Sequence, residues 1–190
     1  MMRLIKREWP LLVWSFFISS FCGWLYEVGW ELYLDRTLTQ AMANKGSFNL
    51  FILPIYGFGG LILILCMKNI VLNQRKIKVL GINITPIVVF VATVIISTIV
   101  EYIGSCIIED LGYGRLWDYT GAPYSLNGRI ALKNSLIFGI IGVIGIYGVI
   151  PLIRMVLKRI GRRNACISAI IILGIFALDC VLISMGYKFR

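Results

Sequence analysis

Apolar residues run in five long windows, broken by short stretches where polar and turn-forming residues gather. The windows cover about 9–33, 48–67, 84–108, 133–157 and 165–187. Each reaches the roughly 20 residues that cross a ~30 Å hydrocarbon core as a helix. The alternating segments of about ten residues that a membrane barrel requires are absent. The pattern predicts an all-α polytopic membrane protein, a bundle of five transmembrane helices forming a single domain over residues 1–190.

Composition agrees. Hydrophobic residues make up 59% of the chain and the mean hydropathy is +0.87, against roughly 45–50% apolar in a soluble domain. The basic start (Arg3, Lys6, Arg7) resembles the head of a signal sequence. The apolar window behind it is longer than a signal core, carries Glu27 and Glu31 and has no small-residue cleavage pattern, so an uncleaved first helix is the reading.

The net charge of +10 does not point to nucleic acid, because the cations gather at helix ends, where they set topology. With the N-terminus inside, inner segments hold Arg3, Lys6, Arg7, Lys68, Arg75, Lys76, Lys78, Arg154, Lys158, Arg159, Arg162 and Arg163. The outer ones hold Arg36, Lys45, Arg115, Arg129, Lys133, Lys188 and Arg190. This excess favours N-terminus inside and C-terminus outside, in a cell membrane. The five cysteines form no C-x-x-C pair and read as small hydrophobes. There is no histidine, the commonest transition-metal ligand and neutral-pH proton carrier.

That orientation gathers the unusual polar residues on one side. Eighteen residues at 1.5 Å each place Glu27 roughly 27 Å above Trp9, and similar arithmetic raises Glu101 and Asp179 into the outer half of the bilayer. An intramembrane carboxylate costs roughly 2.5–3.5 kcal/mol on insertion scales. Glu27 and Glu31 share a helix face at i, i+4, and Glu101, Ser105 and Glu109 form a second stripe. Facing each other, the stripes would put four carboxylates round one cavity, with Arg115 and Arg129 as counter-charges. Such oxygen ligands suit Mg²⁺ or Ca²⁺. The competing readings are a structural ion pair for Glu27 and Glu101, and headgroup water for Glu31 and Glu109.

Pro54, Gly57, Gly59 and Gly60 predict a break or kink near the outer end of the second helix, or close helix packing. Gly139, Gly142 and Gly145 read as a packing face. The stretch from Asp110 to Leu132 is turn-rich, with Asn127-Gly128 as a turn dipeptide. Trp117, Asp118, Tyr119, Asn127 and Arg129 are its candidate binding residues, the arginine fork being suited to a carboxylate or phosphate. Trp117 alone would be read as a headgroup anchor.

Phe21-x-Gly23-Trp24-x-x-Glu27, Pro54-Ile-Tyr56-Gly57-Phe-Gly59, Glu101-Tyr102 with Glu109, Trp117-Asp118-Tyr119 and Asn127-Gly128-Arg129-Ile130 occur in consistent order. Through them the chain resembles, from about Trp14 to Pro151, the bacterial multi-pass family named as ABC transporter permease, type IV or CmpB-like. It departs from that pattern at Asn44-Lys45-Gly46, at Leu50-Phe51, and at Phe138, where a Trp is common. The resemblance implies the membrane subunit of a transport system, homo- or hetero-oligomeric, with its ATPase on another chain. No G-x-x-x-x-G-K-[ST] occurs here to hold ATP. The alternatives are an outer-leaflet membrane enzyme and a lipid- or partner-binding assembly factor using the same carboxylate and arginine cluster. No evident nucleophile or general base favours the enzyme.

Overall fold

The computed structural model describes residues 2–33, 37–38, 49–73, 75–110, 112, 114–115, 117–187, those before Arg7 by backbone alone. The Asn44-Lys45-Gly46 departure, the start of the second predicted window, Arg36, Lys188 and Arg190 lie outside the described residues. The helices are α1 (Met2–Tyr33), α2 (Pro54–Cys66), the single turn α3 (Lys68–Val71), α4 (Thr85–Asp110), α5 (Leu132–Ile144) and α6 (Ile150–Ser184), with a π-helical turn at Gly145–Val149 between the last two. Two hairpins of two-residue strands depart from the all-α expectation: β1 (Lys78–Val79) with β2 (Ile82–Asn83), and β3 (Ser125–Leu126) with β4 (Ile130–Ala131).

Three helical stretches among the described residues are long and apolar enough to cross a membrane: Arg7–Tyr33, Thr85–Asp110 and Leu132–Ser184. The last runs for 53 residues, roughly 80 Å if straight, but Gly161 interrupts it with φ 81 and ψ 157. That is extended left-handed backbone open to glycine and essentially closed to L side chains. On α4, Ile87, Val91, Ile95, Ile99, Ile103 and Ile107 recur every fourth residue and are all exposed. An unbroken apolar stripe of this kind suits hydrocarbon, not water.

Pro54 opens α2 instead of kinking it. At the first helical position proline's missing N–H costs nothing and its fixed φ is already helical. The second predicted window therefore shortens to 13 helical residues.

The chain divides into two compact units, residues 1–61 with 152–190, and residues 62–151. In the first, α1 runs antiparallel to α2: the Gly60, Gly57 and Tyr56 end of α2 meets Ser19, Ser20 and Gly23 in turn. It runs parallel to the second half of α6, through Arg7 with Arg162 and Trp14 with Ser168. Phe16, Phe17 and Ile52 form one of its buried clusters, with Phe176 edge-on to both phenylalanines. Asp179, buried, accepts the Leu50 N–H at 3.3 Å.

In the second unit α4 and α5 are antiparallel. The Thr98 hydroxyl donates to Ser135 at 2.8 Å, and a Cβ at Gly142 would lie 2.4 Å from Thr93. Gly139 similarly meets Phe90 and Val94, whereas nothing lies within 4 Å of a Cβ at Gly145 or Gly59. The close glycine contacts of α5 are therefore those of Gly139 and Gly142, and Ile146, within the π-helical turn, is buried.

Candidate functional site

The hairpin β3–β4 holds the polar residues of the second unit together. Asn127 and Gly128 take φ 54 and 67, and the Arg129 N–H donates to the Leu126 carbonyl at 3.0 Å. Two consecutive left-handed residues make the primed turn that matches strand twist, which is why Asn-Gly serves here. A Cβ at Gly128 would also lie 2.6 Å from the Thr120 hydroxyl and 2.8 Å from an Asp118 oxygen. The preceding loop folds onto the turn: the Tyr119 N–H donates to the Gly128 carbonyl and the Trp117 indole to that of Arg129, both at 2.8 Å.

From this platform Arg129 reaches α4. One guanidinium nitrogen donates to Ser105 Oγ at 3.0 Å, and the other pairs with Glu109 Oε2. Ser105 and Glu109 are one helical turn apart, so a single planar fork spans both. Arg115 lies 3.5 Å from the other Glu109 oxygen and 3.9 Å from Asp118. Asn127 donates to the Tyr102 hydroxyl at 3.1 Å, and Tyr119 hydrogen-bonds the Glu101 side chain. Glu101 Oε2 is shielded from solvent and has no protein partner. The bond to Glu109 raises the Arg129 pKa above its ordinary value, so the fork stays cationic at any physiological pH.

Asp118 accepts two bonds from Thr120, from the hydroxyl at 2.5 Å and from the backbone N–H at 2.9 Å. These, with Arg115, hold its pKa below the ordinary 3.8. A depressed carboxylate stabilises the fold above its unfolded pKa and loses that contribution as pH falls through its folded value. Amide protection of Thr120 in hydrogen exchange, corrected for intrinsic rate, is therefore expected to hold near neutrality and fall below about pH 4. Asp118→Ala, which removes the acceptor, is expected to lack it at every pH, whereas Asp118→Asn, whose amide oxygen still accepts, should lose only the pH dependence.

The first unit contains the other candidates. The Tyr56 hydroxyl donates to Glu27 Oε1 at 2.5 Å. Its ring lies so close to α1 that a Cβ at Gly23 would come within 2.2 Å of it. The Gly23-x-x-x-Glu27 spacing and Tyr56 thus form one contact: glycine admits the ring, and the carboxylate one turn on takes its hydroxyl. Gly57 fits against Ser20 and Phe16 in the same way. Trp24 stacks on Phe21 and tilts against Phe51.

A family described as "Putative ABC-transporter type IV" matches residues 14–184. The chain belongs to this family. The matched span covers every motif that meets in the two units. No curated protein and no solved structure matches the chain. With its apolar helices, the chain is a membrane protein of an ABC-transporter-related family.

Sequence reasoning named Arg115, Ser105 and Arg129 but missed Thr120. The Asp-x-Thr spacing, which lets a carboxylate accept from a backbone N–H two residues on, was the available signal. Arg115 and Arg129 both serve Glu109, so the second stripe holds its own counter-charges. Among the described residues, no group of three or more His, Cys, Asp or Glu is placed to hold a metal ion.

Proposed function

We propose that this chain is the membrane subunit of a transport system whose ATPase is a separate chain, and that it crosses the cell membrane five times with its N-terminus inside. The observation that carries the reading is the family match over residues 14–184, in a sequence that lacks a phosphate-binding loop of its own. Parallel packing of α1 with the second half of α6 supports an odd number of crossings, because it requires both to traverse in the same direction. The break at Gly161 supports two crossings within Leu132–Ser184. Five helices are few for an alternating pathway, which favours an oligomer.

The polar residues of the two units are the proposed binding groups: Glu27 and Tyr56 in one, and Glu101, Tyr102, Glu109, Trp117, Asp118, Tyr119, Asn127 and Arg129 in the other. Gly23, Pro54, Gly57, Gly59 and Gly128 are proposed as the small and turn-forming residues around them. A second reading, recognition of a lipid or partner helix without transport, is favoured by the unpartnered Oε2 of Glu101.

Affinity purification of the tagged protein in mild detergent, with mass spectrometry of what accompanies it, tests the assignment. A stoichiometric ATP-binding protein is expected. A homo-oligomer carrying only lipid would replace transport with the second reading. Orientation is tested separately at Tyr124, which is 84% exposed beside the hairpin. In a background with the five native cysteines replaced, Tyr124→Cys is expected to react with an impermeant maleimide from outside intact cells. Labelling only after the cytoplasm is opened would invert the topology.

A further inference from the structure

The break at Gly161 has a chemistry that the transport reading does not use. Around it the chain reads Arg154, Lys158, Arg159, Gly161, Arg162, Arg163. The first unit brings the start of α1 to the same place. Arg162 donates to the Arg7 carbonyl at 3.3 Å, and Arg154 lies 4.0 Å from Glu8. Six cations, counting Arg7, thus share this end of the unit with one described carboxylate, Glu8. Glu8 already faces Arg7 at 3.1 Å as well as Arg154. Lys158, Arg159, Arg162 and Arg163 are exposed.

Exposed apolar side chains are interleaved with these cations. Leu152, Met155, Val156 and Ile160 are between 39% and 60% exposed. A surface meeting a soluble protein through charge would place its cations beyond the apolar level. Here both kinds of side chain alternate through the same stretch, residues 152–163, the pattern of a helix at the boundary between acyl chains and headgroups. Clusters of four to eight Lys and Arg beside a membrane helix attract anionic headgroups, and arginine forks match phosphate oxygens.

We propose that the elbow formed by residues 152–163, together with Arg7, is a binding site for anionic phospholipid. The phosphate lies among Lys158, Arg159 and Arg163, and the acyl chains lie along Met155, Val156 and Ile160. The proposal rests on the reading that the helices on either side of Gly161 cross the bilayer. It adds a lipid site at the inner face of the membrane in that topology.

The test is native mass spectrometry of the purified full chain in detergent, with an equimolar mixture of phosphatidylglycerol and phosphatidylcholine of identical acyl chains. The parent protein is expected to retain phosphatidylglycerol preferentially. Combined Lys158→Ala, Arg159→Ala and Arg163→Ala is expected to weaken that preference roughly a hundredfold, from the contribution of each cation near an anionic surface. The charge-conserving set Lys158→Arg, Arg159→Lys and Arg163→Lys is expected to keep it, which guards against simple misfolding. Equal retention of the two lipids by the parent, or parental preference in the alanine variant, would overturn the site. Displacement of the lipid by inorganic phosphate alone would also overturn it in favour of a bare anion site. Failure of the underlying topology is read independently: Asn164→Cys would then be shielded from a water-soluble maleimide.

Discussion

Gly23→Val is expected to destabilise the protein by about 3 kcal/mol, combining the cost of overpacking with the loss of a bond to a charged group. The first new carbon would sit 2.2 Å from Cγ of the Tyr56 ring, far inside van der Waals contact. The ring is not free to retreat, because its hydroxyl is held by Glu27 at 2.5 Å. Either α1 and α2 separate, which opens Phe16, Phe17 and Ile52, or the Tyr56–Glu27 bond breaks. Valine's branched side chain has almost one rotamer in a helix and cannot turn away. Two companion variants isolate the cause. Tyr56→Phe keeps the ring and removes only the bond, so a loss of about 1–2 kcal/mol is expected. At Gly29, on the same helix, nothing lies within 4 Å of a Cβ. Gly29→Ala should therefore be neutral, or stabilising by up to about 1 kcal/mol through helix propensity. Thermal unfolding in detergent measures all three. Equal behaviour of Gly23→Val and Gly29→Ala would refute the contact.

Replacing Arg129 is expected to have the largest effect in the second unit. Its guanidinium binds Ser105 and Glu109 together, while its carbonyl takes the Trp117 indole. The alanine variant loses the side-chain clasp and keeps the backbone bond. The hairpin should then remain folded at Asn127-Gly128 but be held less firmly to α4, by the Asn127–Tyr102 and Tyr119–Glu101 bonds. Hydrogen exchange across residues 117–129 is expected to accelerate on the order of tenfold or more once the charge-assisted bonds are gone. Lysine restores the charge but not the fork, so Arg129→Lys should recover the Glu109 pairing without the simultaneous Ser105 bond. Its protection should fall between alanine and parent. Under the transport reading, the alanine variant should reach the membrane at the parent level and lose function. Unchanged exchange and unchanged function would show that the clasp is dispensable.

The local chemistry of these contacts was largely legible in the sequence. Asn127-Gly128 specifies its turn because only residues tolerant of left-handed backbone fit both central positions. Ser105 and Glu109, four residues apart, had to share a face of α4 once that segment was helical. Pro54 left a break and a kink both open for a physical reason: proline is compatible with a first helical turn and with a kink. Only the residues before it, which bend at 49–51, distinguish the two. The all-α expectation missed β1–β2, where Leu80 and Gly81 take φ 50 and 82. A leucine at such a position gives no turn signal.

Hydrophobic content and window length alone determined that this is a chain for lipid, since no water-soluble domain could hide so much apolar surface. The five motifs by themselves identified the family. Which motif meets which was a matter for the tertiary structure. In a helix apolar on every side, periodicity no longer marks the buried face, and nothing local sets the register between neighbours. Register is decided where small residues let backbones approach and where a polar group must find a partner away from water. Gly23 receiving the Tyr56 ring beneath Glu27, and Arg129 spanning Ser105 and Glu109, are both choices of that kind.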